Sequence, residues 1–452
     1  MTAPQITGLS AGALITDPQV IEGYRRDQAA IVGAGRPRAV VRAADVSDVS
    51  TALAWATAHQ VPVVPRGAGT GLSGGANALD GCLVISLERL TAIREINAGS
   101  QYAVVEAGVL NADVGRAAAG AGLFYPPDPG SFEISTIGGN LATNAGGMRC
   151  VKYGVTRDSV LGLEAVLADG SVLRTGSGAR KNVAGYDLTS LLIGSEGTLA
   201  VITSATLRLR PLPPSAPVTF VATFTALPQA GDAVAAICAS GATPSLLEFI
   251  DNPTINAIED YQRMDLDRRA AGLLIGQADG PAADGDVAAM MECCSKAGAD
   301  FVMRSGSAEE SDMLVAARRL AAPAVMATGP TIIDDVCVPP GQLTAMLEAV
   351  QRVSASSGLT IAVTAHAGDG NLHPALMLPS LDPAVVARAM SAGERLCQEA
   401  VRLGGTITGE HGVGALKQPW VGGQLSPEVL AAHRAIKAAL DPAGILNPGR
   451  AF

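Results

Sequence analysis

The stretch Val61-Pro-Val-Val-Pro-Arg-Gly-Ala-Gly-Thr-Gly-Leu-Ser-Gly-Gly-Ala76 begins as an apolar strand and opens into a loop dense in glycine. Glycines in this number let backbone N–H groups approach and encircle a diphosphate, and Arg66, Thr70 and Ser73 can add donors. The loop lacks the crossover helix of a dinucleotide fingerprint, because another apolar run follows at residues 81–86. It lacks the Lys-Ser/Thr pair of a P-loop. A turn-rich loop without a ligand remains the alternative.

Two further segments share this composition. Tyr125-Pro-Pro-Asp-Pro-Gly-Ser131 precedes Thr136-Ile-Gly-Gly-Asn-Leu-Ala-Thr-Asn-Ala-Gly-Gly147, and Leu191-Leu-Ile-Gly-Ser-Glu-Gly-Thr-Leu-Ala-Val-Ile202 again sets small residues between two strands. Small residues over so long a run exclude a conventional side-chain core, but they allow a large flat ligand to lie against backbone. With the first loop, these segments favour a bound cofactor over a ligand-free loop.

The stretch Thr364-Ala-His-Ala-Gly-Asp-Gly-Asn-Leu-His-Pro374 lies between two apolar runs. Asp-Gly between such runs predicts a β-hairpin whose two-residue turn is Asp369 and Gly370. That register sets His366 opposite His373, with Cβ atoms about 4.5–5.5 Å apart. A pair of imidazoles so held predicts a metal-binding clamp. Two buried histidines with ordinary hydrogen bonds are the alternative.

A second special stretch is Gly409-Glu-His-Gly-Val-Gly414. Its carboxylate and imidazole suit a third metal ligand, Glu410, and a catalytic base, His411, because imidazole changes its protonation state near neutral pH. Asn371 can bind substrate oxygens. The chain has only five histidines, so their concentration in these two stretches favours a functional site.

The motif order resembles the vanillyl-alcohol-oxidase-type FAD-linked oxidases. The motifs PRGAGTGLSGG, YPPDPGS, TIGGNLATNAGG, GSEGTLAVIT, HAGDGNLHP, GEHGVG and ILNPG cover nearly the whole chain in that order. Within the family, the chain looks most like glycolate oxidase flavin subunits and FAD-dependent D-lactate dehydrogenases. The resemblance implies an α+β fold, in which a two-subdomain FAD-binding domain accompanies a substrate cap built on an antiparallel sheet.

The expected domain limits follow from this resemblance and from composition. Residues 1–35 read as an N-terminal helical arm and residues 36–214 as the FAD-binding domain. Residues 215–405 would form the substrate and metal cap, and residues 406–452 would return to the flavin. The proline-rich linker at residues 208–217 fits the first of the two cap boundaries.

The resemblance also implies which residues bind FAD. Some relatives attach FAD covalently through a His or Cys in or near the first glycine loop. Here no His lies between His59 and His366, and no Cys lies in residues 65–76, so we expect non-covalent FAD. The expected cofactor-binding residues are Arg66, Gly67, Ala68, Gly69, Thr70, Gly71, Ser73, Gly74, Pro127, Asp128, Gly130, Ser131, Thr136, Gly138, Gly139, Asn140, Thr143, Asn144, Gly146, Gly147, Glu196, Gly197, Ile202 and Asn447.

For the substrate, the resemblance implies oxidation of a small 2-hydroxy acid. His366, His373 and Glu410 would hold zinc, manganese or iron, since the ligand types suit all three. Arg318, in Ala316-Ala-Arg-Arg-Leu-Ala-Ala-Pro323, aligns with the arginine that clamps the substrate carboxylate.

The leading hypothesis is an FAD-dependent D-2-hydroxyacid dehydrogenase of the D-lactate or glycolate class. A D-2-hydroxyglutarate dehydrogenase is the first alternative, although relatives of that kind carry a lysine where this chain has Ile333. A non-redox metal-dependent hydrolase with the same His/His/Glu set is the second. The electron acceptor is open between a quinone, a cytochrome, an electron-transfer flavoprotein and a partner subunit.

Composition limits which partners and which cellular compartment we expect. The 32 basic and 42 acidic residues leave a net charge of −10, and aromatic residues make up 3%, which argues against nucleic acid. No apolar run reaches the length of a transmembrane segment and no signal peptide is evident, so we expect a cytoplasmic protein that can attach peripherally to a membrane. A homodimer is compatible with the sequence.

Overall fold

The computed structural model describes residues 4–29 and 31–452. They fall into two compact units. The first is Met1–Gly146, Gly154–Leu212 and Glu410–Phe452, and the second is Gly147–Tyr153 and Pro213–Gly409. The chain passes from the first unit to the second after Leu212, within the proline-rich linker.

The strands, in chain order, are β1 (Leu14–Ile15), β2 (Ala39–Arg42), β3 (Val63–Arg66), β4 (Leu83–Ser86), β5 (Ile93–Asn97), β6 (Tyr102–Glu106), β7 (Leu123–Phe124), β8 (Val160–Val166), β9 (Val172–Gly176), β10 (Val201–Arg208), β11 (Arg210–Pro211), β12 (Val218–Phe224), β13 (Leu246–Asp251), β14 (Gly272–Ala278), β15 (Phe301–Arg304), β16 (Thr331–Ile333), β17 (Val336–Cys337), β18 (Thr360–His366) and β19 (Asn371–Met377).

The α-helices are α1 (Pro18–Glu22), α2 (Val46–Ala58), α3 (Asn111–Gly120), α4 (Ile137–Thr143), α5 (Cys150–Tyr153), α6 (Leu188–Leu192), α7 (Leu227–Ala239), α8 (Asn252–Tyr261), α9 (Ala283–Lys296), α10 (Ala308–Arg319), α11 (Ala321–Ala327), α12 (Leu343–Ser357), α13 (Pro383–Arg402), α14 (Val421–Gln424) and α15 (Pro427–Leu440). Short 3₁₀ turns lie at Thr156–Ser159, Pro340–Gln342 and Gln418–Trp420. No helix within residues 4–29 and 31–452 combines the length and apolarity needed to cross a membrane.

The first unit contains two main sheets. One has the order β1-β2-β4-β3, with β2, β4 and β3 parallel. These strands read as continuous apolar runs because both faces of the sheet are buried. Pro65 is tolerated because β3 is an edge strand. The other sheet is antiparallel, with the order β5-β6-β10-β8-β9, and it packs against α3 and α4.

The second unit is built on one antiparallel sheet with the order β15-β12-β14-β13-β18-β19-β16, and β17 also pairs with β19. One face packs against α8 and α11, where Ile250, Ala362 and Ala375 of the sheet meet Ile258 and Val325 of the helices. Helices α7 and α9 contact β12 and β14, α12 contacts β18, and α13 contacts β17. The antiparallel cap sheet predicted from the resemblance is therefore present.

The N-terminal segment differs from a helical arm. Residues 14–15 form β1, which pairs with β2, and the only helix before β2 within the described residues is the five-residue α1. Asp17 caps that helix through its side chain, but the helix ends at Glu22. Only the two residues of β1 pair with β2, and most of the other described residues of this segment form neither strand nor helix.

Candidate functional site

The first glycine loop follows β3 and lies against the segment that contains α4. A Cβ atom at Gly67 would come within 2.4 Å of Thr136 Oγ1, and one at Gly138 within 2.7 Å of the Ala107 side chain. Gly69 has φ of +73° and faces the Arg66 guanidinium, where a Cβ would lie 2.1 Å from Nη2. Only glycine fits these three positions, so the two predicted cofactor segments form one closely packed backbone cradle.

Three predicted cofactor residues carry buried polar atoms that have no hydrogen-bond partner among the described residues. They are Arg66 Nη1, Asn140 Nδ2 and Asn447 Oδ1. Burial lowers the pKa of Arg66, and the nearby carboxylates of Asp27 and Glu88 partly oppose that effect. Because unpartnered buried polar groups are costly, these atoms fit a polar ligand in the cradle.

A cavity of about 960 Å³ adjoins the cradle and reaches Ala68 and Thr136. This volume is in the upper range for small-molecule and cofactor pockets. Its other lining residues are Glu88, Thr91, Ile93, Gly108, Val109, Leu110, Asp113, Arg116 and Ala117. The glycine cradle and the unpartnered atoms fit FAD, and the cavity adjoins them at Ala68 and Thr136.

Other predicted cofactor residues have structural roles. Thr136 caps α4 by accepting a hydrogen bond from Gly139 N–H, and Asn144 ends that helix in the left-handed region at φ of +52°. Ile202 belongs to the hydrophobic core of the first unit. The glycine-rich composition gave no indication of the short helix α4. Some residues of these motifs, such as Ile202, stabilise the fold.

Glu196 also has a structural role. Its carboxylate accepts hydrogen bonds from the N–H groups of Val413 (2.8 Å) and Gly414 (2.7 Å). Burial raises the pKa of this carboxyl, while the two N–H groups and the charge of Arg450 act in the opposite direction. Asn447 Nδ2 donates to the backbone oxygens of Glu196 and Gly75. Glu196 therefore holds the stretch that contains His411.

Ser73 holds the same stretch from the first glycine loop. Its Oγ donates to Gly412 O at 3.0 Å, and its carbonyl oxygen accepts from the N–H groups of Ala415 and Leu416. In the fixed stretch, His411 Nε2 lies 3.8 Å from Glu410 Oε1. The C-terminal residues thus return to the cofactor loops of the first unit, and they bring the predicted base with them.

The predicted hairpin forms in the second unit, but its register is wrong by two residues. His366 pairs with Asn371 and Thr364 pairs with His373. Residues 367–370 form a four-residue loop because Asp369 N–H donates to His366 O and Gly370 N–H to Ala367 O. A shift of two preserves the face of every side chain. The two imidazoles still meet, with ring centroids 5.0 Å apart at 82°.

Glu248 of β13 extends the row formed by His366 and Asn371 on this face. It is fully buried, and His366 Nδ1 lies 2.9 and 3.0 Å from its two carboxylate oxygens. Arg318, from α10, places Nε 2.8 Å from Glu248 Oε2. The angle at Nε is outside hydrogen-bond geometry, so this contact is an ion pair and not a directed hydrogen bond. The neighbouring Arg319 is exposed.

Asp335 lies beside the second imidazole. Its Oδ1 is 3.8 Å from His373 Nδ1 and accepts a 2.7 Å hydrogen bond from Asn371 Nδ2. The same Nδ2 also donates to Val336 O. Both N–H bonds of Asn371 are therefore used within the protein, and only its side-chain oxygen is left for the predicted contact with substrate.

Asp335 also fixes the end of the second unit. Its Oδ2 accepts hydrogen bonds from Thr408 Oγ1 (2.7 Å) and Gly409 N–H (2.8 Å). Glu410 follows Gly409 directly, so their Cα atoms are about 3.8 Å apart. The carboxylate beside His373 therefore fixes the backbone immediately before the predicted third metal ligand.

The donor set fits a divalent ion. Metal-bound histidines usually orient one ring nitrogen toward a carboxylate and coordinate through the other. His366 has this arrangement with Glu248, and the two buried imidazoles share one face of the sheet. Nitrogen and carboxylate donors of this kind suit zinc, manganese or iron.

Sequence reasoning missed Glu248 and Asp335. Each is a charged residue inside an apolar strand region, Leu246-Leu-Glu-Phe-Ile-Asp251 and Thr331-Ile-Ile-Asp-Asp-Val336. A charge at a position that should be buried was the available signal, since such charges are normally paired.

The chain matches two family models. Residues 37–176 match the FAD binding domain, and residues 213–451 match the C-terminal domain of FAD linked oxidases. Glycolate oxidase subunit GlcD of Bacillus subtilis (strain 168) is 42% identical over 419 residues, which are 92% of this chain and 89% of that protein. A D-lactate dehydrogenase of Archaeoglobus fulgidus is 35% identical over 440 residues, 95% of each chain.

Solved structures share the fold at low identity. p-Cresol methylhydroxylase has a TM-score of 0.80 at 18% identity, with 98% of this chain and 94% of that chain covered. 4-Ethylphenol oxidase from Gulosibacter chungangensis has a TM-score of 0.78 at 20% identity, with 98% of each chain covered. The fold of this chain is therefore shared with solved structures of distant sequence.

Proposed function

The chain belongs to the FAD-linked oxidases, and from this premise we propose that it oxidises a D-2-hydroxy acid of the D-lactate or glycolate class to the 2-oxo acid. The observation that carries the proposal is the meeting of Arg318 and His366 on Glu248, which puts a carboxylate-binding cation beside an imidazole pair. The names of the relatives, glycolate oxidase subunit and D-lactate dehydrogenase, support the same substrate class.

Arg318 is the proposed clamp for the substrate carboxylate. Its Nε lies 2.8 Å from Glu248 Oε2, and the edge formed by its two terminal nitrogens is proposed to meet the substrate carboxylate in two parallel bonds. Its side chain is about nine-tenths buried, which strengthens a charge-assisted contact relative to one in water.

His411 is the proposed base for the substrate hydroxyl proton. His366, His373 and Glu410 are the proposed ligands of a divalent ion, which when bound supplies a Lewis acid that lowers the pKa of a bound hydroxyl. Bound FAD supplies the hydride acceptor. The electrons then pass to a separate acceptor, and the glycolate oxidase relatives, being named as subunits, support a partner protein in that role.

Membership of an FAD-binding family argues against the second alternative, a non-redox metal-dependent hydrolase. D-2-Hydroxyglutarate remains the second candidate within this class, and Ile333 argues against it. This side chain is paired with Ala375 on the same face as His373, and an isoleucine offers no positive charge to a second substrate carboxylate.

The test is turnover with an artificial electron acceptor across paired D- and L-2-hydroxy acids. We expect activity with D-lactate, D-2-hydroxybutyrate or glycolate, its loss on treatment with a chelator and its recovery with a divalent ion. His366→Ala should be inactive yet retain the flavin spectrum, because His366 lies in the second unit and the cofactor cradle in the first. Full activity in metal-free protein would contradict the metal role.

A further inference from the structure

We propose that Glu248 is a positioning residue that fixes His366 and Arg318 as one unit, so that metal affinity depends on a carboxylate that itself binds neither metal nor substrate. This inference rests on the proposed function. Glu248 lies on β13 between Leu247 and Phe249, and none of its surface is exposed. It is thus a charged residue at a core position of a central strand.

The energetics of burial argue that this carboxylate has a specific task. Desolvating a carboxylate is costly even after relaxation, and replacing a whole buried ion pair by apolar residues is often neutral or stabilising. Arg318 supplies the opposite charge at 2.8 Å, which offsets part of that cost. A counter-charge alone does not require the second contact, in which both carboxylate oxygens face one ring nitrogen of His366.

That second contact fixes the chemistry of His366. A carboxylate at Nδ1 holds the proton there, which leaves the lone pair of a neutral imidazole on Nε2 and raises its basicity as a ligand. It also fixes the ring plane, since the imidazole is held between Glu248 and the T-shaped contact with His373. Removing such a partner typically weakens metal affinity by about 10–100-fold.

Two variants separate this role from that of a counter-ion for Arg318. Arg318→Gln removes the cation and keeps the carboxylate beside His366. Glu248→Gln/Arg318→Gln removes both charges, so that neither is left buried alone. Metal-stripped, flavin-loaded proteins are titrated with Zn²⁺ against a competing chelator, and flavin content and thermal unfolding are recorded for each. Glu259→Gln is the control, because this carboxylate of the same unit accepts hydrogen bonds from Met264 and Leu266 N–H.

We expect Arg318→Gln and Glu259→Gln to bind Zn²⁺ at least as tightly as the wild type, and the double variant to bind it about 10–100-fold more weakly than Arg318→Gln. Equal affinity of Arg318→Gln and the double variant would overturn the role of Glu248 and leave the proposed function standing. A wild-type protein without affinity for a divalent ion would overturn both.

Discussion

Glu196 Oε2 accepts a 2.7 Å hydrogen bond from the backbone N–H of Gly414, a residue far along the chain, and Oε1 accepts one from Val413. The carboxylate thereby replaces water for the buried N–H group of Gly414 and for the partly buried one of Val413. Gly412, at φ of +81°, turns against the same carboxylate, where a Cβ would lie 3.1 Å from it. The position of His411 in the first unit therefore depends on Glu196.

Glu196→Gln should slow flavin reduction by about tenfold or more while FAD is retained. An amide offers one acceptor oxygen for two N–H donors, and an unsatisfied buried donor costs about 1–3 kcal/mol. Stopped-flow flavin reduction measures the effect. Glu106→Gln is the control, because this carboxylate of the same unit pairs with the partly exposed Arg94. A Glu196→Gln rate equal to the control would remove Glu196 from the positioning of His411.

The flavin should be released by acid or heat. Cys82 is the only cysteine of the first unit; it is fully buried, and burial raises its pKa to about 11, so it is a poor nucleophile for a tether. His59, in the same unit, stacks on Trp55 at the end of α2. Precipitated protein should be colourless and the supernatant yellow. Flavin that stays with the precipitate would contradict non-covalent binding.

The sequence predicted elements whose signals are local. Gly67 and Gly69 indicated the loop that packs closely against the α4 segment, and His366 and His373 indicated two imidazoles that meet on one face of the sheet. The metal that these imidazoles are expected to bind stays a prediction. The hairpin register was wrong because the loop is closed by backbone bonds around Ala367, and because Gly370 ends it against Val338, where a Cβ would lie 1.9 Å from the carbonyl oxygen. Sequence alone does not contain that contact.

Glu248 and Asp335 escaped prediction for a different reason. Each meets its histidine only in the folded unit. Glu248, which pairs with His366 across the sheet, lies 118 residues from it along the chain. Rules based on short sequence spacing do not predict contacts between residues so far apart. A single charged residue in an apolar strand does not indicate which residue it will contact. In the second unit, the pairing of β13 with β18 places Glu248 beside His366. The sequence motifs around the histidines do not specify that pairing.

His411→Asn should lower kcat by about 10²–10⁴, the usual loss for a general base, with little change in substrate binding. The amide keeps much of the polarity of the imidazole but cannot take the proton. Single-turnover flavin reduction and substrate dissociation constants separate the two effects. His433→Asn, on the partly exposed α15, is the matched control. A His411→Asn rate within threefold of the wild type would place the base elsewhere.

The preference for a small substrate over one with a second carboxylate should depend on Ile333. The wild type should favour D-lactate, D-2-hydroxybutyrate or glycolate over D-2-hydroxyglutarate by at least about tenfold in kcat/KM, ~1.4 kcal/mol, because a second buried carboxylate would lack a partner. Ile333→Lys should narrow that ratio. Thr331→Lys, two residues earlier on the same face of β16, should change it less. A wild-type preference for D-2-hydroxyglutarate would mean that another cation reaches the pocket.

The most direct test of the proposed chemistry is anaerobic mixing of the flavin-loaded protein with D-lactate and with L-lactate, followed at the flavin absorbance band. This measurement needs no electron acceptor, so it reports hydride transfer alone. Complete bleaching by D-lactate, with L-lactate slower by about a hundredfold or more, is the predicted result. Failure of D-lactate, glycolate and D-2-hydroxybutyrate to bleach a flavin that dithionite reduces would contradict it.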